Sequence, residues 1–482
     1  MPAFIKNFLN KITMYQLMLY FLRILIFAAA ALSFFGVLKF TWWHILAQLI
    51  YLIAACWAIN KIFSLTFKVK TNYESQFITA EILTLIAGPL NPLVFGNLLY
   101  LTVLSLLAMG SKYILAYKGR HIFNPAAFGV FAAALILGQG ASWWVGNVYL
   151  LPVMLVGGFL ILKKLRWFHL VLAFLVPHFM LVVISSGSLT VSAAIIYFAV
   201  VMLVEPLTAP AGKKLRIAYG IATAVAIFAY QNFVPDFSYS LETGLLSANL
   251  IFFLFSKSPK GAVLLVDKQT VAKNTLAFIF EPLRKFKWTA GQYLQWTLPH
   301  AHPDQRGIRR YFTIASSPTQ TNIMLVTKMA VENPSTFKQT LAKMEPGSEL
   351  VAGNLDGDFV LPENTAEKLA FIAGGIGITP YLSMIKYLVD QKEKRDIVLL
   401  YSANTLEEIA FKQLLGAAKD NGVRAIYKIG RIDESFIKQE VPDYLSRTFY
   451  VSGPEPMVEA FEKMLKGMRI PKIMTDFFPG YE

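Results

Sequence analysis

The sequence predicts a multi-domain chain in two parts: a polytopic α-helical membrane domain of about ten spans, then a small β-barrel joined to an α/β domain. Three observations predict it. Hydrophobic residues make up 55% of the 482, too many for an ordinary soluble protein. Between Met14 and Phe255 they gather in runs of about 15–24, the length that crosses a hydrocarbon core of roughly 30 Å. From Ser256 onward acids and bases interleave, and β-patterned segments give way to strand–helix alternation.

The spans are expected at 14–36, 42–61, 77–90, 93–116, 124–139, 147–163, 167–185, 188–205, 214–232 and 241–256, the third and fifth being short. Loop charge tests that count. One side collects Lys6, Lys11, Lys61, Lys68, Lys70, Lys112, Lys118, Arg120, Lys163, Lys164, Arg166, Lys213, Lys214, Arg216, Lys257 and Lys260. The other holds Lys39, with Asp236 and Glu242 in the last loop. Sixteen cations against one is the positive-inside bias, which puts both termini and the soluble part in the cytoplasm of a cell-membrane protein. The net charge of +15 is thereby explained by the bilayer, without nucleic acid. Lys6 and Lys11 precede a long apolar run with no small-residue cleavage site, so that run reads as a retained first span. The single cysteine, Cys56, excludes disulfides within the chain, Cys-ligated iron–sulfur clusters and a CxxC pair, and no metal site is expected.

Three segments are interrupted. The third carries Glu81 and ends at Gly88-Pro89-Leu90-Asn91-Pro92; the fifth starts from Gly119-Arg120-His121-Ile122-Phe123-Asn124-Pro125; the eighth ends at Glu205-Pro206 and runs on through Thr208, Pro210 and Gly212. Interruptions in matching places suggest broken helices, an inverted repeat and a site where they meet. The alternative is that the prolines only terminate helices. The stretch GRHIFNPAAFG with EPLTAP some 80 residues on resembles the flavin-carrying membrane subunits of Rnf complexes and of the sodium-pumping NADH:quinone reductase, over roughly residues 15–255. That resemblance implies a ten-helix pseudo-twofold fold with a flavin in or near the membrane, and Arg120 and Asn124 as its candidate contacts. The family attaches FMN to a threonine of an SGAT motif. Here the corresponding loop is Gly138–Asn147, and no threonine occurs between Asn124 and Thr190. A non-covalent flavin (FMN or riboflavin) or a quinone remains open.

In the soluble part, Ala262–Asp267, Thr275–Glu281, Tyr293–Leu294 and Arg310–Thr313 read as strands of a barrel over 262–363, with a helix around Ser335–Met344. Leu369–Ala373, Ile397–Tyr401, Arg424–Lys428 and Phe449–Ser452 alternate with helices from Pro380, near Leu406–Asp420 and over Glu455–Met468, giving a parallel sheet over 367–482. The turn Gly374-Gly375-Ile376-Gly377-Ile378-Thr379-Pro380 follows a strand and opens a helix, where bare backbone and a helix N-terminus suit a pyrophosphate.

The order of motifs over 260–482 resembles the ferredoxin–NADP reductase superfamily. RYFTIAS looks like its flavin signature, which implies that Arg310 pairs with the phosphate of FAD, Tyr311 and Phe312 lie by the cofactor, and Thr313 places its hydroxyl near the reacting ring. Asn333-Pro334-Ser335-Thr336 would present Ser335 and Thr336 to the flavin diphosphate. Gly374, Gly375, Gly377 and Thr379 would contact NAD(P)H, and Ser452-Gly453-Pro454-Glu455-Pro456-Met457 matches the CGPxxM motif with serine for cysteine. The tail Asp476–Tyr481 carries Phe478, the expected terminal aromatic over the flavin. Thr313, Ser452 and Phe478 are thus the candidates nearest the chemistry. Glu407 and Glu408 after the second parallel strand would repel a 2′-phosphate and favour NADH, with Arg431 the cation that could serve NADPH.

The expected activity is that of a membrane-bound NAD(P)H:acceptor oxidoreductase, with electrons going from NADH through FAD to a second flavin, a quinone or a protein electron-transfer partner. Two alternatives stand beside it. A haem-bearing transmembrane reductase would draw on His44, His121, His169 and His178; a redox-driven ion translocator would draw on Glu81 and Glu205. The link Ser256–Gly261 is short enough to hold the FAD domain near the membrane face.

Overall fold

The computed structural model describes residues 5, 8–9, 12–68, 73–117, 120–234, 239–255, 260–304, 307–329 and 334–478. It divides into two compact units, Met1–Lys257 and Ser258–Glu482.

The first unit is helical. From Met14 its described residues form α1 (Met14–Phe34), α2 (Trp42–Thr66), α3 (Tyr73–Ile86), α4 (Phe95–Ile114), α5 (Pro125–Leu137), α6 (Val148–Leu165), α7 (Phe168–Ser186), α8 (Ala193–Met202), α9 (Lys213–Phe233) and α10 (Ser240–Phe255). Five of these, α1, α2, α4, α6 and α7, are long and apolar enough to cross a membrane. The others fall short for physical reasons: α5 has 13 residues, about 20 Å of helix against a core of about 30 Å, and α9 opens on Lys213, Lys214 and Arg216. Local signals set the ends. Thr13 Oγ1 accepts from Gln16 N at 3.1 Å while Gln16 Oε1 accepts from Thr13 N at 3.1 Å, a reciprocal cap that starts α1. Asn124 caps α5 through Ala127 N at 3.0 Å, with Pro125 at the first turn.

The interrupted segments are real interruptions. A short hairpin, β1 (Ala116–Tyr117) with β2 (Arg120–His121), precedes α5. Helix α8 loosens into a π turn over Phe198–Met202, and the chain leaves it at Glu205-Pro206, where proline offers no N–H to continue the ladder.

The second unit begins with a curled antiparallel sheet: β3 (Gly261–Ala272), β4 (Thr275–Pro282), β5 (Tyr293–Thr297), β6 (Arg309–Thr313), β7 (Ile323–Lys328) and β8 (Glu349–Asp356), in the order β6-β5-β8-β3-β4-β7. A bridge between Ile314 and Leu325, with Ala315 N donating to Met324 O at 2.8 Å, joins the two edges. Phe278, Phe280, Leu294 and Trp296 fill the interior, and α11 (Thr336–Lys343) buries Phe337 and Leu341 in the same core. The rest of the unit is β9 (Leu369–Gly374), α12 (Thr379–Gln391), β10 (Ile397–Ala403), α13 (Lys412–Ala417), β11 (Val423–Ile429), α14 (Glu434–Glu440), β12 (Thr448–Pro454), α15 (Glu455–Gly467) and β13 (Ile473–Phe478). All five strands run parallel in the order β11-β10-β9-β12-β13. Every residue of β9 is buried, as a central strand covered on both faces requires.

Two elements differ from the sequence reading. The helix expected near Leu406–Asp420 is cut into a 3₁₀ turn, α13 and a second 3₁₀ turn, with Phe411 at φ 58°. Tertiary bonds take its backbone groups: Glu407 O accepts from Lys273 N at 2.9 Å, and Tyr401 OH accepts from Ala410 N at 3.3 Å. The tail, to which the sequence reading assigned no element, is the edge strand β13 up to Phe478.

Candidate functional site

Strand order places the site. β9 lies between β10 and β12, so chain direction around the sheet reverses between β9 and β12, and a crevice opens at their carboxyl ends. Both glycine motifs sit there. β9 delivers Gly374–Ile378 and β12 delivers Ser452-Gly453, with Ala373 opposite Ser452 in register. The backbones meet closely: a Cβ on Gly377 would stand 2.1 Å from Ser452 O. Gly375 takes φ 51°, a left-handed turn where an added Cβ would meet nothing within 4 Å, so its bare side faces open space. Thr379, 3% exposed, starts α12, and its Oγ1 donates to Ile376 O at 3.2 Å. Met457 lies over Gly374 and Gly453, filling the space that side chains there would need. Pro454 is exposed at the start of α15.

The barrel contributes from β6. Its register sets Arg310 opposite Trp296 and Phe312 opposite Leu294, so both belong to the face that looks into the barrel, while Tyr311 and Thr313 alternate to the other face. Arg310, 4% exposed, stacks over the Phe337 ring at 5.2 Å, and Phe312 meets the same ring at 6.0 Å. Its Nη1 donates to Gly307 O at 3.1 Å and Arg309 O at 2.7 Å, fixing the guanidinium beside the N-terminus of α11. There Ser335 is the cap, accepting from Lys338 N at 3.3 Å, and Thr336 supplies the first helical N–H. Tyr311 is half exposed; it lies edge-on to Tyr293 at 5.6 Å and accepts from Gln295 Nε2 at 2.8 Å, away from Arg310 and Phe312. The structure therefore groups Arg310, Phe312, Ser335 and Thr336, and leaves Tyr311 apart from them.

Two of the residues expected nearest the chemistry share a property. The Thr313 and Ser452 hydroxyls are buried and have no hydrogen-bond partner among the described residues. A buried hydroxyl left unpaired costs about 1–3 kcal/mol, so each calls for a partner beyond the described residues, which a bound ligand would supply. With the anion-ready end of α11 and the glycine turn of β9, these hydroxyls fit FAD and a nicotinamide dinucleotide. The strand carrying Phe478 pairs it with Pro454, at the same end of the sheet as Ser452; its side chain lies outside the described residues. Lys6, Lys11, Lys70, Lys118, Gly119, Asp236, Lys257, Asn333 and Pro479–Tyr481 also lie outside them.

Barrel and parallel sheet are locked together within this unit. Ser383 Oγ of α12 donates to Ser316 O at 2.6 Å, and a Cβ on Gly291 would stand 2.1 Å from Phe359 O. Glu407 and Glu408 each pair with a barrel lysine, Lys273 at 3.0 Å and Lys328 at 2.8 Å. The Lys328 bond holds the Glu408 carboxyl below the usual carboxylate range. These are not the free negative charges the sequence suggested, so repulsion of a 2′-phosphate is weaker than that reading assumed.

In the first unit, the two family-like motifs touch. Arg120 Nε donates to Leu207 O at 3.5 Å, and Asn124 Nδ2 donates to Met202 O at 3.2 Å, so the start of α5 is tied to the end of α8. Asn249 Oδ1 accepts from Asn124 N at 2.9 Å, and Asn249 Nδ2 donates to Tyr219 OH at 2.7 Å. Beside them a small cavity of about 50 Å³ is lined by Tyr15, Ser75, Thr79, Asn124, Glu205 and Leu207 among others. Lys112 Nζ donates to Ser75 O and Oγ and to Thr79 Oγ1 at 2.8–3.0 Å. Sequence reasoning missed Arg23, whose Nε donates to Glu81 Oε1 at 3.0 Å; its lone charge inside an apolar run was the available signal. It also missed Asp304 and His300, which meet Thr336 in a segment without a motif. His169 accepts from Arg216 Nε at 3.3 Å, and His178 stacks on Phe174 at 5.5 Å.

Residues 371–463 match the family model of the oxidoreductase NAD-binding domain. An NADPH oxidoreductase of Mycobacterium tuberculosis is 30% identical over 214 residues, 42% of this chain and 56% of that protein. A glycine betaine monooxygenase reductase subunit of Chromohalobacter salexigens is 25% identical over 217 residues, 42% of this chain and 58% of that one. Among solved structures, the flavohemoglobin from Malassezia yamatoensis with bound FAD and heme is 22% identical at a TM-score of 0.42, covering 55% of this chain and 74% of that chain. The chain thus spans little more than half the length of the curated relatives it matches. The C-terminal part of the chain carries an oxidoreductase NAD-binding domain over residues 371–463 and is similar to an NADPH oxidoreductase and to an oxygenase reductase subunit.

Proposed function

We propose that the chain is a membrane-bound NAD(P)H:acceptor oxidoreductase, taking electrons from NADH through FAD in its C-terminal unit and passing them to a second flavin or a quinone bound by its helical unit. The observation that carries this reading is the pair of buried, unpartnered hydroxyls, Thr313 and Ser452, beside the flavin-type and nicotinamide-type motifs. FAD, when bound, accepts electrons from a nicotinamide in pairs and can release them singly, so it suits a junction between the two kinds of carrier. The protein's own part is positioning. Arg310 and Thr336 N would hold the flavin diphosphate, with Ser335 keeping the helix end in shape. Gly374, Gly375, Gly377 and Thr379 would bring bare backbone and the start of α12 to the dinucleotide diphosphate. Thr313 and Ser452 would donate to the two reacting rings, with Gly453 keeping β12 close enough and Phe478 arriving on β13.

Localisation in a cell membrane is supported by the five long apolar helices and by outward apolar faces such as Tyr20, Ile24, Phe27 and Phe34 of α1, while the cytoplasmic placing of both termini and of the FAD/NAD unit rests on the basic loops and requires an even number of spans. The cavity between α1, α3, α5 and the end of α8 lies beside Asn124 and would have to widen to take the ring of a non-covalent FMN or riboflavin or of a quinone. NADH as the donor rests on Glu407 and Glu408, whose repulsion of a 2′-phosphate is weakened by their lysine partners Lys273 and Lys328. The test is made on the detergent-purified full chain: flavin species and stoichiometry after acid extraction, then NADH-driven reduction of a water-soluble quinone analogue. FAD in the protein and faster quinone reduction than in an Ile78→Trp variant, whose cavity is filled, is the expected result. A chain that retains no flavin and consumes no NADH overturns the proposal.

A second reading, a redox-driven ion translocator, draws on Glu81, 1% exposed in α3 and bound by Arg23. It requires a sodium- or proton-dependent turnover that Glu81→Gln abolishes.

A further inference from the structure

Helix α11 starts beneath a carboxylate that comes from 32 residues upstream. Thr336 N donates to Asp304 Oδ2 at 3.0 Å, Asp304 N donates to Thr336 Oγ1 at 3.0 Å, and Asp304 Oδ1 stands 3.8 Å from Arg310 Nη2. The cap proper is already made by Ser335 on Lys338 N. Asp304 therefore adds no missing cap. It sits where the positive end of a helix and a buried guanidinium converge, the two kinds of donor that bind a phosphate.

We propose that Asp304 is a built-in anion on the flavin diphosphate subsite, so that flavin binding must displace it and its charge sets the affinity for flavin. The inference rests on the FAD reading above. The Thr336 N–H carries one hydrogen and serves one acceptor at a time, and a carboxylate left beside Arg310 would repel an incoming phosphate. Two features make the exchange feasible. Asp304 remains 23% exposed, so it has water to move into, while Arg310 is already braced by the carbonyls of Gly307 and Arg309 and stays in place when its anion changes. His300, whose ring joins Leu298 O at 2.8 Å and Thr336 Oγ1 at 3.0 Å, keeps an independent hold on the helix start.

The experiment strips flavin from the detergent-purified full chain and titrates FAD back by flavin fluorescence, for the native protein, Asp304→Asn and Asp304→Ser. Riboflavin, which lacks phosphate, is titrated in parallel. Both variants keep an acceptor for Thr336 N–H and remove the charge, and the serine variant serves if the asparagine variant does not fold. About tenfold tighter FAD binding in the variants, with riboflavin affinity unchanged, is expected from the loss of a close like charge. If the native chain binds FAD and the variants bind it equally or more weakly, Asp304 is a structural contact and the proposal falls. If the native chain binds no FAD, the FAD reading itself fails, and the proposal with it.

Discussion

Gly377→Ala tests the switch-point geometry directly. An added Cβ would stand 2.1 Å from Ser452 O, 2.5 Å from Ser452 C and 2.7 Å from Gly453 Cα. All three are backbone, so no side chain can swing aside. To reach 3.0 Å, the closest approach that real Cβ atoms make, the glycine turn and the end of β12 must part by roughly 0.9 Å. Overpacking of this kind costs about 1–3 kcal/mol, which a domain with a well-buried β9 survives. The same displacement is severe for chemistry, since a shift of about 1 Å in a reacting group can cost on the order of a hundredfold in rate. The expected result is a chain that keeps its flavin, melts a few degrees lower, and is reduced by NADH about a hundred times more slowly under anaerobic stopped flow. Gly375→Ala separates protein clash from ligand clash: its Cβ would meet no protein atom within 4 Å and bears only the strain of φ 51°, about 1–2 kcal/mol, so any slowing there comes from the methyl meeting the dinucleotide. Native-like flavin reduction in Gly377→Ala would refute the placement of the nicotinamide between these strand ends.

Thr313→Ala and Ser452→Ala each remove a buried hydroxyl with no hydrogen-bond partner among the described residues, so melting should barely change while NADH-driven flavin reduction slows about tenfold or more, read by the same stopped flow. The chain should turn over NADH faster than NADPH, and Glu407→Arg should narrow the ratio of the two kcat/KM values; an unchanged ratio places specificity elsewhere. Arg447 Nε and Lys368 Nζ hold Asp443 at 2.7 and 3.0 Å and pull its carboxyl down to about 2. A depressed folded-state pKa gives stability that is present above the ordinary carboxylate value and is lost as pH falls toward 2, so the native melting temperature should drop more between pH 4 and 2 than that of Asp443→Asn. Arg23→Leu strands the buried Glu81 carboxylate and should lower stability in detergent by about 3 kcal/mol, whereas Arg23→Met with Glu81→Met should recover most of it.

The parallel sheet was legible because its signals are local. A buried strand, a glycine turn and a helix start follow one another from Leu369 to Thr379, and the structure keeps that order. The barrel strand with Arg310 and Thr313 was legible for the same reason. What sequence could not supply was long-range. Asp304 reaches Thr336 across 32 residues with no motif to announce it, and Lys273 and Lys328 neutralise Glu407 and Glu408 from strands far away in the chain. Tyr311 shows the limit of a motif as well: it lies inside the signature, yet strand alternation turns it away from Arg310 and Phe312.

In the helical unit, charge patterning read the loops correctly as basic but not what the basic residues do. Arg120, 5% exposed, and Arg216, 4% exposed, turn inward, and Lys112 is taken up by Ser75 and Thr79. A cation held this way is bound to protein carbonyls and hydroxyls and not to lipid headgroups, so it braces the very places where helices break. Arg120 reaches the chain just after Glu205-Pro206, and Asn124, at the start of α5, takes the carbonyl of Met202 that the loosened end of α8 presents. The first motif thus supplies donors to carbonyls that the second's interruption leaves open, which is what lets a helix end inside a packed unit. The prolines do terminate helices, as the plainer reading held, and the ends meet each other beside a small cavity.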